Sequence, residues 1–520
     1  MALLDSIATD KPLLLPLLAL GGLLYAIATL LYRLFFSPLA KILGPWLTRI
    51  STLPEANALK ENRRAAWVTQ LFNENPGAVA VRTGPNAVSF NTPEAVKAIY
   101  GHGKTADGFG KSGWYDAFST TGDSLFSTRS TKRHAMKRRM VSHGFSMQSL
   151  QTFEPIVDAT LEKFMAKMDE FAEKGEAFDI YFWYELFTMD LLGELALGKG
   201  FGALDGGKPV RYSSLVEQSQ RFANHSGLLP FGKWNVKVLS WVPLPNIQKL
   251  YKARLEYLDY AKSALERRFQ ENRQQTLENG KVRQDIMQRF IEAQDPETGH
   301  RMDFDELRAE TSSLMVAGAS TGSVTMNWMT YYLCKNPTTK SQLLRELQST
   351  FPSNPSGHHP LPFTTLRHLR LLDHIETECL RLHPPIGYAT PRDTPRSGAV
   401  ICGVHVPGGV AVGVPAATLG RNASVYPNPD VWDPDRWEGG KNATDLGTMK
   451  TSYLGFGHGS RHCIGINVAK QFIQKMIAQL VLRYEVELEE EGLMLKAKEF
   501  TIQKPDRRYN VVLKRRGDTT

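Results

Sequence analysis

Cysteine is scarce in this chain, and the few that exist exclude several classes of protein. Among 520 residues there are four cysteines, at positions 334, 379, 402 and 463. This spacing offers no CxxC pair for a structural zinc ion and no dense set for disulfides, so a reducing compartment fits best. Charge of one sign is also lacking. Lys and Arg number 62 against 53 Asp and Glu, and a net charge of +9 is too dilute to predict nucleic-acid binding.

Repeats, low-complexity segments and long polar linkers are absent as well. With 42% hydrophobic and 10% aromatic residues, the composition is close to the globular average, which excludes fibrous and largely disordered classes. Strand patterns occur early, where a turn at Gly84-Pro85-Asn86 predicts a hairpin and Pro93 begins a short helix, and again late. Helical spacing dominates from about 145 to 385. We predict one large domain over 51–520, mainly α with small β-sheets.

One long hydrophobic run lies near the N-terminus. The 20 residues from Leu13 to Tyr32 carry no formal charge, and a helix of that length spans about 30 Å, the thickness of a bilayer core. We predict a transmembrane helix over 13–32, after a short lumenal segment 1–12 and before a tether 33–50 that Pro38 and Pro45 stiffen. A cleaved signal peptide is the alternative, disfavoured by the length of the run. Basic residues beyond the run predict a cytosolic domain.

The most informative motif surrounds Cys463. It reads Phe456-Gly-His-Gly-Ser-Arg-His-Cys-Ile-Gly465. Its glycines let the backbone turn tightly and approach a flat ligand. N–H groups and Arg461 are expected to lower the pKa of the Cys463 thiol and prepare it to bind a metal. A small buried cysteine in a tight turn is the alternative. A dinucleotide loop is disfavoured, because Ser460 follows where a third glycine is needed.

A second motif is Glu378 followed by Arg381, which share one face of a predicted helix. An exposed ion pair of little energetic value is the alternative. Arg436 lies between this pair and Cys463, near the end of an aromatic and proline-rich segment.

A third motif lies inside a long predicted helix. Asp303 and Glu306 form a capping box at its start and Pro337 marks its end, about 30 residues and 45 Å later. The segment Ala317-Gly-Ala-Ser-Thr-Gly322 lies in the middle, where two glycines predict a local opening, with close helix packing as the alternative. Its G-x-S-x-G pattern also suggests a serine hydrolase. That reading is disfavoured, because a nucleophile elbow needs a strand before the serine.

Together, these motifs resemble those of the cytochrome P-450 family of haem-thiolate monooxygenases, in particular microsomal members from filamentous fungi. The resemblance covers nearly all of the chain after the anchor and implies the fold of that family, with haem b as cofactor and Cys463 as its axial iron ligand. It implies haem-binding roles for His134, Arg138, Arg392, Phe456, Arg461 and Gly465, structural roles for Glu378, Arg381 and Arg436, and catalytic roles for Ser320 and Thr321. His134 replaces the tryptophan of the family's W-x-x-x-R motif.

The resemblance also implies an activity: hydroxylation of a lipophilic small molecule, such as a secondary metabolite, with O2. Electrons must come from an NADPH-cytochrome P-450 reductase, since the chain has no flavin or nicotinamide fingerprint. Six cationic residues between 129 and 139 are expected to form its docking patch. The expected location is the endoplasmic reticulum membrane, single-pass, with the haem domain in the cytosol. A non-catalytic haem carrier is disfavoured by Thr321 in the oxygen groove.

The substrate pocket is expected near four regions. These are the loop with Trp114, Tyr115 and Phe118, the segment from Phe222 to Trp241, Met315, and the segment from Ile386 to Thr390. One departure from the family pattern is Ser320, where an acidic residue usually precedes the threonine. A serine hydroxyl relays protons but does not supply them by titration near neutral pH. We therefore expect protons to arrive through water or from the substrate. The alternative outcome is radical coupling, desaturation or rearrangement without net oxygen insertion.

Overall fold

The structure is a computed structural model that describes residues 11–101, 108–119, 122–229, 231–280, 282–439, 445–499 and 502–517. Residues 1–10 of the predicted lumenal segment lie outside the described residues. The α-helices are α1 Lys11–Leu31, α2 Leu53–Lys60, α3 Arg64–Asn73, α4 Pro93–Tyr100, α5 Thr131–Ser142, α6 Met147–Lys174, α7 Ile180–Leu192, α8 Ala203–Gly206, α9 Arg211–Gly227, α10 Asn235–Ser240, α11 Pro245–Asn279, α12 Ile286–Glu292, α13 Phe304–Lys335, α14 Pro337–Thr350, α15 Phe363–Leu366, α16 Arg370–Leu382, α17 Ala416–Leu419, α18 Leu446–Ser452 and α19 Ile466–Arg483.

The strands are short, and all but β4 lie early or late in the chain, as the sequence predicts. They are β1 Ala80–Gly84, β2 Ala87–Phe90, β3 Gly110–Lys111, β4 Phe178–Asp179, β5 Arg392–Asp393, β6 Ala399–Ile401, β7 Val404–Val406, β8 Ala411–Gly413, β9 Tyr484–Leu488, β10 Ala497–Glu499, β11 Gln503–Pro505 and β12 Asn510–Arg515. The largest sheet has the order β1-β2-β8-β5-β3. Its β1–β2 hairpin is antiparallel, whereas β2 and β8 are parallel. The predicted hairpin and mainly α fold class are confirmed.

The long helix α13 begins and ends where its sequence signals predict. The side chain of Asp303 accepts a hydrogen bond from the N–H of Glu306 at 2.8 Å, and the helix ends at Lys335, two residues before Pro337. The helix is continuous, so the predicted local opening at its glycines is wrong. Gly318 and Gly322 instead serve close packing, since a Cβ at Gly322 would lie 2.4 Å from the ring of Phe472. The hydrolase elbow is also excluded, because the residues before the motif are helical rather than a strand.

The main hydrophobic core is built where α6, α7, α13, α16 and α19 meet. A second cluster packs the large sheet against α4 and the segment around Trp437. The helix α19 follows directly after the loop that carries Cys463, and its Phe472 contacts the middle of α13. The core therefore fixes the cysteine loop relative to the central helix.

The N-terminal helix α1 differs from every helix of the core. The segment Pro16–Phe36 has a mean hydropathy of 1.8, and none of it is buried against the rest of the chain. A π-helical turn, Tyr32–Phe36, follows α1, and Pro38 then begins a short 3₁₀ helix capped by Ser37. The apolar helix is therefore compatible in length and composition with a membrane anchor, and its end lies close to the predicted boundary.

Candidate active site

The loop around Cys463 is shaped by two glycines with left-handed backbone. Gly457 has φ of 73° and Gly459 has φ of 69°, a region that side chains other than glycine rarely adopt. A Cβ at Gly459 would also overlap the carbonyl oxygen of Tyr100 at 1.7 Å. The N–H of Cys463 donates to the carbonyl of Phe456 at 2.8 Å, which closes the loop. Gly465 caps α19 with an ordinary φ of −83°.

Cys463 is exposed, although many protein atoms lie around its thiol. Burial raises the pKa of this thiol, while the N–H of Gly465 and the Arg138 guanidinium act in the opposite direction. The expectation of a lowered pKa is therefore wrong for the free thiol, and Arg138 rather than Arg461 is the cation that acts on it. Of the other cysteines, Cys379 is buried, and burial raises its pKa well above the ordinary value.

The predicted haem-binding side chains converge on one cationic cluster beside this loop. Burial and then the nearby cations Arg461, Lys111, Arg138 and Arg392 together lower the pKa of His134 to about 3. Burial and then Arg392 lower the pKa of Arg461 to about 10. The repulsion between these buried cations is unfavourable unless an anion binds among them.

Lys111 is a member of this cluster that sequence reasoning missed. It is only 6% exposed, it donates to the carbonyl of Phe126, and its Nζ lies 4.1 Å from the ring centre of Tyr115. Burial lowers its pKa well below the ordinary value, and Arg392 and Arg461 lower it further. The feature of the sequence that could have pointed to Lys111 is its position in a segment rich in aromatic residues.

The cluster fits a ligand with two carboxylates, as haem b has. Arg138 donates to the carbonyl of His462 at 2.9 Å and Arg461 to that of Thr128 at 2.8 Å, so both guanidinium groups are held in place with donors to spare. The buried hydroxyl of Thr128 and the indole N–H of Trp114 have no hydrogen-bond partner among the described residues. A cluster of cations with unused donors, one of which acts on the Cys463 thiol, therefore fits an anionic macrocycle with a thiolate ligand.

The second motif forms a fully buried network. Both prongs of the Arg381 guanidinium bind the carboxylate of Glu378, at 2.8 and 2.7 Å. Arg436 donates to the same carboxylate at 2.9 Å, as does the indole N–H of Trp437. Arg381 also donates to the carbonyl of Pro429 at 2.6 Å. The structure thus brings the three predicted structural residues together and excludes the exposed ion pair.

The adjacent hydroxyls of α13 occupy different environments. Thr321 donates to the carbonyl of Ala317 at 2.9 Å, and Ala317 is exposed although it lies in the middle of the domain's central helix. Ser320 lines a separate cavity of about 230 Å³ between α7, α9 and α13. Successive residues of a helix are rotated by about 100°, which explains why the two side chains diverge.

The predicted docking patch at 129–139 is not a free cationic surface. Lys137 is fully buried and pairs with Glu310 at 3.1 Å. The other paired members bind carboxylates as follows: Arg129 binds Asp116 and Asp393, Arg133 binds Asp123 and Glu306, and Arg139 binds Asp295 and Glu297. The sequence could not show these partners, because they come from distant segments.

The expected pocket walls are only partly supported. Trp114, Tyr115 and Tyr388 pack together as a small buried aromatic cluster with Phe118 at its edge. Met315 is wrong as a wall, because it is completely buried in the main core. In the segment from Phe222 to Trp241, Phe222 is buried, whereas Phe231, Trp234 and Trp241 are more than half exposed.

Comparisons with known proteins agree with this arrangement. The sequence profile of the family described as Cytochrome P-450 matches residues 53–512. The chain is 29% identical to trichothecene C-15 hydroxylase of Fusarium sporotrichioides over 91% of its length and 93% of that protein. It is 30% identical to the cytochrome P-450 monooxygenase pkfB of Emericella nidulans, over 90% of each. The crystal structure of the cytochrome P-450DA haem domain has a TM-score of 0.73 at 18% identity, covering 89% of this chain and 95% of that one.

Proposed function

The chain belongs to the cytochrome P-450 family of monooxygenases, and we propose that it hydroxylates a lipophilic small molecule, with haem b held by the thiolate of Cys463. The family binds haem through a cysteine thiolate. The observation that carries the assignment to Cys463 is that its sulfur is available in a glycine-rich loop directly beside a cluster of buried cations. The other three cysteines lie outside such a loop.

We assign the haem carboxylates to the cationic cluster. Arg461, Arg392 and Lys111 supply charge, and His134 supplies a neutral N–H, since its pKa of about 3 keeps it uncharged near neutral pH. Arg138 connects the cationic cluster to the cysteine loop. Its guanidinium acts to lower the pKa of the Cys463 thiol, and it donates to the carbonyl of His462. Burial makes each charge-assisted bond to a carboxylate stronger than it would be in water.

When bound, a haem with a thiolate ligand supplies the electron density that favours cleavage of the O–O bond. The chain's own tasks are to orient the substrate, to move protons and to exclude water. The carbonyl of Phe456 closes the cysteine loop by accepting from the N–H of Cys463, and the buried network of Glu378 supports the core that carries this loop. Thr321 offers a hydroxyl beside the exposed Ala317, where it can hold or pass a proton.

Overall, the reaction consumes O2, two electrons and two protons to give a hydroxylated product and water. We propose that NADPH-cytochrome P-450 reductase supplies the electrons, because the chain has no flavin or nicotinamide motif of its own. Most of the cations at 129–139 already pair with carboxylates of the domain, so we do not assign reductase docking to this run.

We propose that the enzyme is anchored in the endoplasmic reticulum membrane. The apolar helix near the N-terminus supports an anchor at 13–32, a lumenal segment at 1–12 and a tether at 33–50. In this topology the haem domain, 51–520, lies in the cytosol, where a reductase of the same membrane can reach it. A lipophilic substrate would partition into that membrane.

The buried aromatic cluster of Trp114, Tyr115 and Tyr388 lies next to the cationic cluster, since Arg392 donates to the Tyr115 hydroxyl at 3.3 Å. These rings favour a substrate with apolar rings or long alkyl segments, such as a secondary metabolite.

The test has two parts. The carbon monoxide difference spectrum of the reduced protein should show the thiolate-type band, and Cys463→Ala should lose it, whereas Cys402→Ala should keep it. Microsomes with reductase and NADPH should then convert one of a panel of lipophilic precursors to a product heavier by one oxygen atom. A thiolate band that survives in Cys463→Ala would refute the site.

A further inference from the structure

Three arginines come together where the apolar N-terminal helix meets the domain. Arg33 lies in the π-helical turn that follows α1, Arg49 is the last residue of a short 3₁₀ helix, and Arg82 belongs to β1. Arg33 donates to the carbonyl of Ile50 at 3.4 Å, and Arg49 donates to the carbonyl of Leu34 at 3.3 Å. These two side chains therefore hold the start and the end of the tether together.

Arg82 is the buried member of this arginine cluster. It has no exposed surface, and its Nη2 donates to the carbonyls of Arg49 at 3.3 Å and Pro85 at 2.8 Å. Its Nη1 has no hydrogen-bond partner among the described residues, and the buried Nε of Arg49 also lacks one there. Buried donors are rarely left without an acceptor, so two unpartnered nitrogens in one cluster point to a ligand that accepts hydrogen bonds.

The chain supplies no negative charge to this cluster. None of its three guanidinium groups forms an ion pair with a carboxylate of the described residues, and Glu55, the first acid after the tether, pairs with Arg64 instead. Burial and then the charges of Arg49 and Arg33 lower the pKa of Arg82 to about 10. Because these cations repel one another, an anion that binds among them would stabilise the group.

Large apolar side chains are exposed on the same part of the chain. Five of them between residues 35 and 53 are more than half exposed, namely Phe35, Phe36, Leu43, Trp46 and Leu53. Tryptophan is enriched at the level of the lipid headgroups, where one side of the ring is apolar and the other wet. In the proposed anchor, α1 ends two residues before Arg33. The cluster is therefore expected at the depth where the membrane presents its phosphate groups.

We propose that Arg33 and Arg49 bind the phosphate of an anionic phospholipid, with the buried Arg82 adding its charge. The inference rests on the proposed membrane anchor. Both Arg33 and Arg49 are partly exposed, and a guanidinium presents paired donors that match two oxygens of a phosphate. A phosphatidylcholine fits poorly, because its choline group brings another positive charge to the cluster. A bound anionic lipid would hold β1, and with it the largest sheet, at the membrane surface beside the anchor.

The first test measures which lipid the protein retains. Haem-loaded full-length protein is inserted into nanodiscs of equal parts phosphatidylcholine and phosphatidylinositol, and native mass spectrometry identifies the lipid that stays bound after release. Wild type should retain phosphatidylinositol about tenfold more often than phosphatidylcholine, and the double variant Arg33→Gln with Arg49→Gln should lose this preference.

The matched control is Lys41→Gln with Lys60→Gln, which removes the same charge from two exposed lysines nearby. This variant should keep the preference of wild type. An equal loss in both double variants would overturn the site, because net charge alone would then attract the lipid. Wild type without any preference would overturn it as well.

The second test needs no variant, so folding defects do not affect it. Phenylglyoxal modifies accessible guanidinium groups, and peptide-resolved mass spectrometry compares Arg33 and Arg49 with the exposed Arg370 on α16. Modification of the first two should be about fivefold slower in nanodiscs that contain phosphatidylinositol than in pure phosphatidylcholine, with no change at Arg370. Equal rates in the two kinds of nanodisc would overturn the proposal. Equal protection by inorganic phosphate in phosphatidylcholine nanodiscs would also overturn it, in favour of a site for the free ion.

Failure of the proposed anchor is distinguishable from failure of the lipid site. Without an anchor, wild type would stay out of nanodiscs of either composition, which would overturn both proposals. Without the lipid site, insertion would be normal and only the preference between the lipids would be missing. The carbon monoxide band reports on the haem site independently, and both double variants should keep it, since their substitutions lie outside the cationic cluster beside Cys463.

Discussion

Glu378 and Arg381 form a two-pronged ion pair within one turn of α16, and neither side chain has any exposed surface. Removing one partner from such a pair leaves a buried charge, which costs about 3–5 kcal/mol. We therefore expect Glu378→Ala to yield little haem-loaded protein. The yield is measured from the ratio of haem absorbance to protein absorbance after purification.

The matched control is Glu61→Ala, which removes a carboxylate that pairs with Arg63 at the surface, where both side chains are nearly half exposed. That variant should load haem as wild type does. Full haem loading of Glu378→Ala would mean that the network does not support the cysteine loop.

Local sequence signals predicted much of this fold, because they act between neighbouring residues. The cap at Asp303, the turn at Gly84-Pro85-Asn86 and the pair of Glu378 with Arg381 all depend on short separations. The burial of Lys137 could not be predicted in this way. Its partner Glu310 is 173 residues away, and only the packing of α5 against α13 turns an apparent surface cation into a buried one.

The same distinction applies to the site. Cys463, Arg461 and Gly465 belong to one short motif, so the sequence located them together. Lys111 has no motif, and it joins the cluster only because β3 pairs with β5, which carries Arg392. The sequence does not reveal why α13 contains its two glycines, because the contact between Gly322 and α19 is tertiary.

Lys111 is expected to help retain haem, because it is buried beside the cations Arg392 and Arg461, which together with burial lower its pKa well below the ordinary value. A charge-assisted hydrogen bond contributes about 1.5–3 kcal/mol. Lys111→Met should therefore release haem about tenfold faster or more, measured by transfer to apomyoglobin. Lys450→Met, which alters an exposed lysine, is the control. Equal transfer rates would exclude Lys111 from haem binding.

Glu376 gives the protein a pH-dependent stability. It is completely buried, and burial raises its pKa to about 7, while one carboxylate oxygen accepts from Gln474 at 2.9 Å. The unfolded chain has the ordinary, lower pKa, so between about pH 4.5 and 7 the folded state binds more protons. Stability should therefore fall as pH rises through this window, by about 1–3 kcal/mol, and level off above it.

Glu376→Gln should remove this decline, since the amide keeps the shape and does not titrate. The measurement is the difference in thermal unfolding between wild type and variant from pH 5 to 8, with the exposed Glu74→Gln as control. A difference that stays constant across the window would show that Glu376 is ionised in the fold.

The proposed topology predicts a pattern of protease protection. In sealed microsomes, added protease should digest the domain 51–520, whereas an epitope placed before residue 11 should survive until detergent opens the vesicles. Removal of residues 1–32 should weaken membrane association, because it deletes the apolar helix. A protected haem domain would reverse the orientation and favour the secretory interpretation of the run.

Gly322 is expected to be indispensable for packing rather than for flexibility. Alanine would favour a helix interior by about 1 kcal/mol over glycine, yet its Cβ would lie 2.4 Å from the ring of Phe472 and 3.6 Å from Thr188. Phe472 is nearly buried, so its ring has little room to move aside. Overpacking of this kind costs about 1–3 kcal/mol, and we expect Gly322→Ala to lower the unfolding temperature.

A second substitution distinguishes this contact from a backbone requirement. Phe472→Leu shortens the side chain that meets the new Cβ, so the double variant Gly322→Ala with Phe472→Leu should be more stable than the sum of the two single changes predicts. Thermal unfolding of all four proteins measures this coupling. If the two changes were additive, the glycine would be needed for the backbone of α13 itself. Its helical conformation argues against that, because alanine adopts the same φ and ψ without strain.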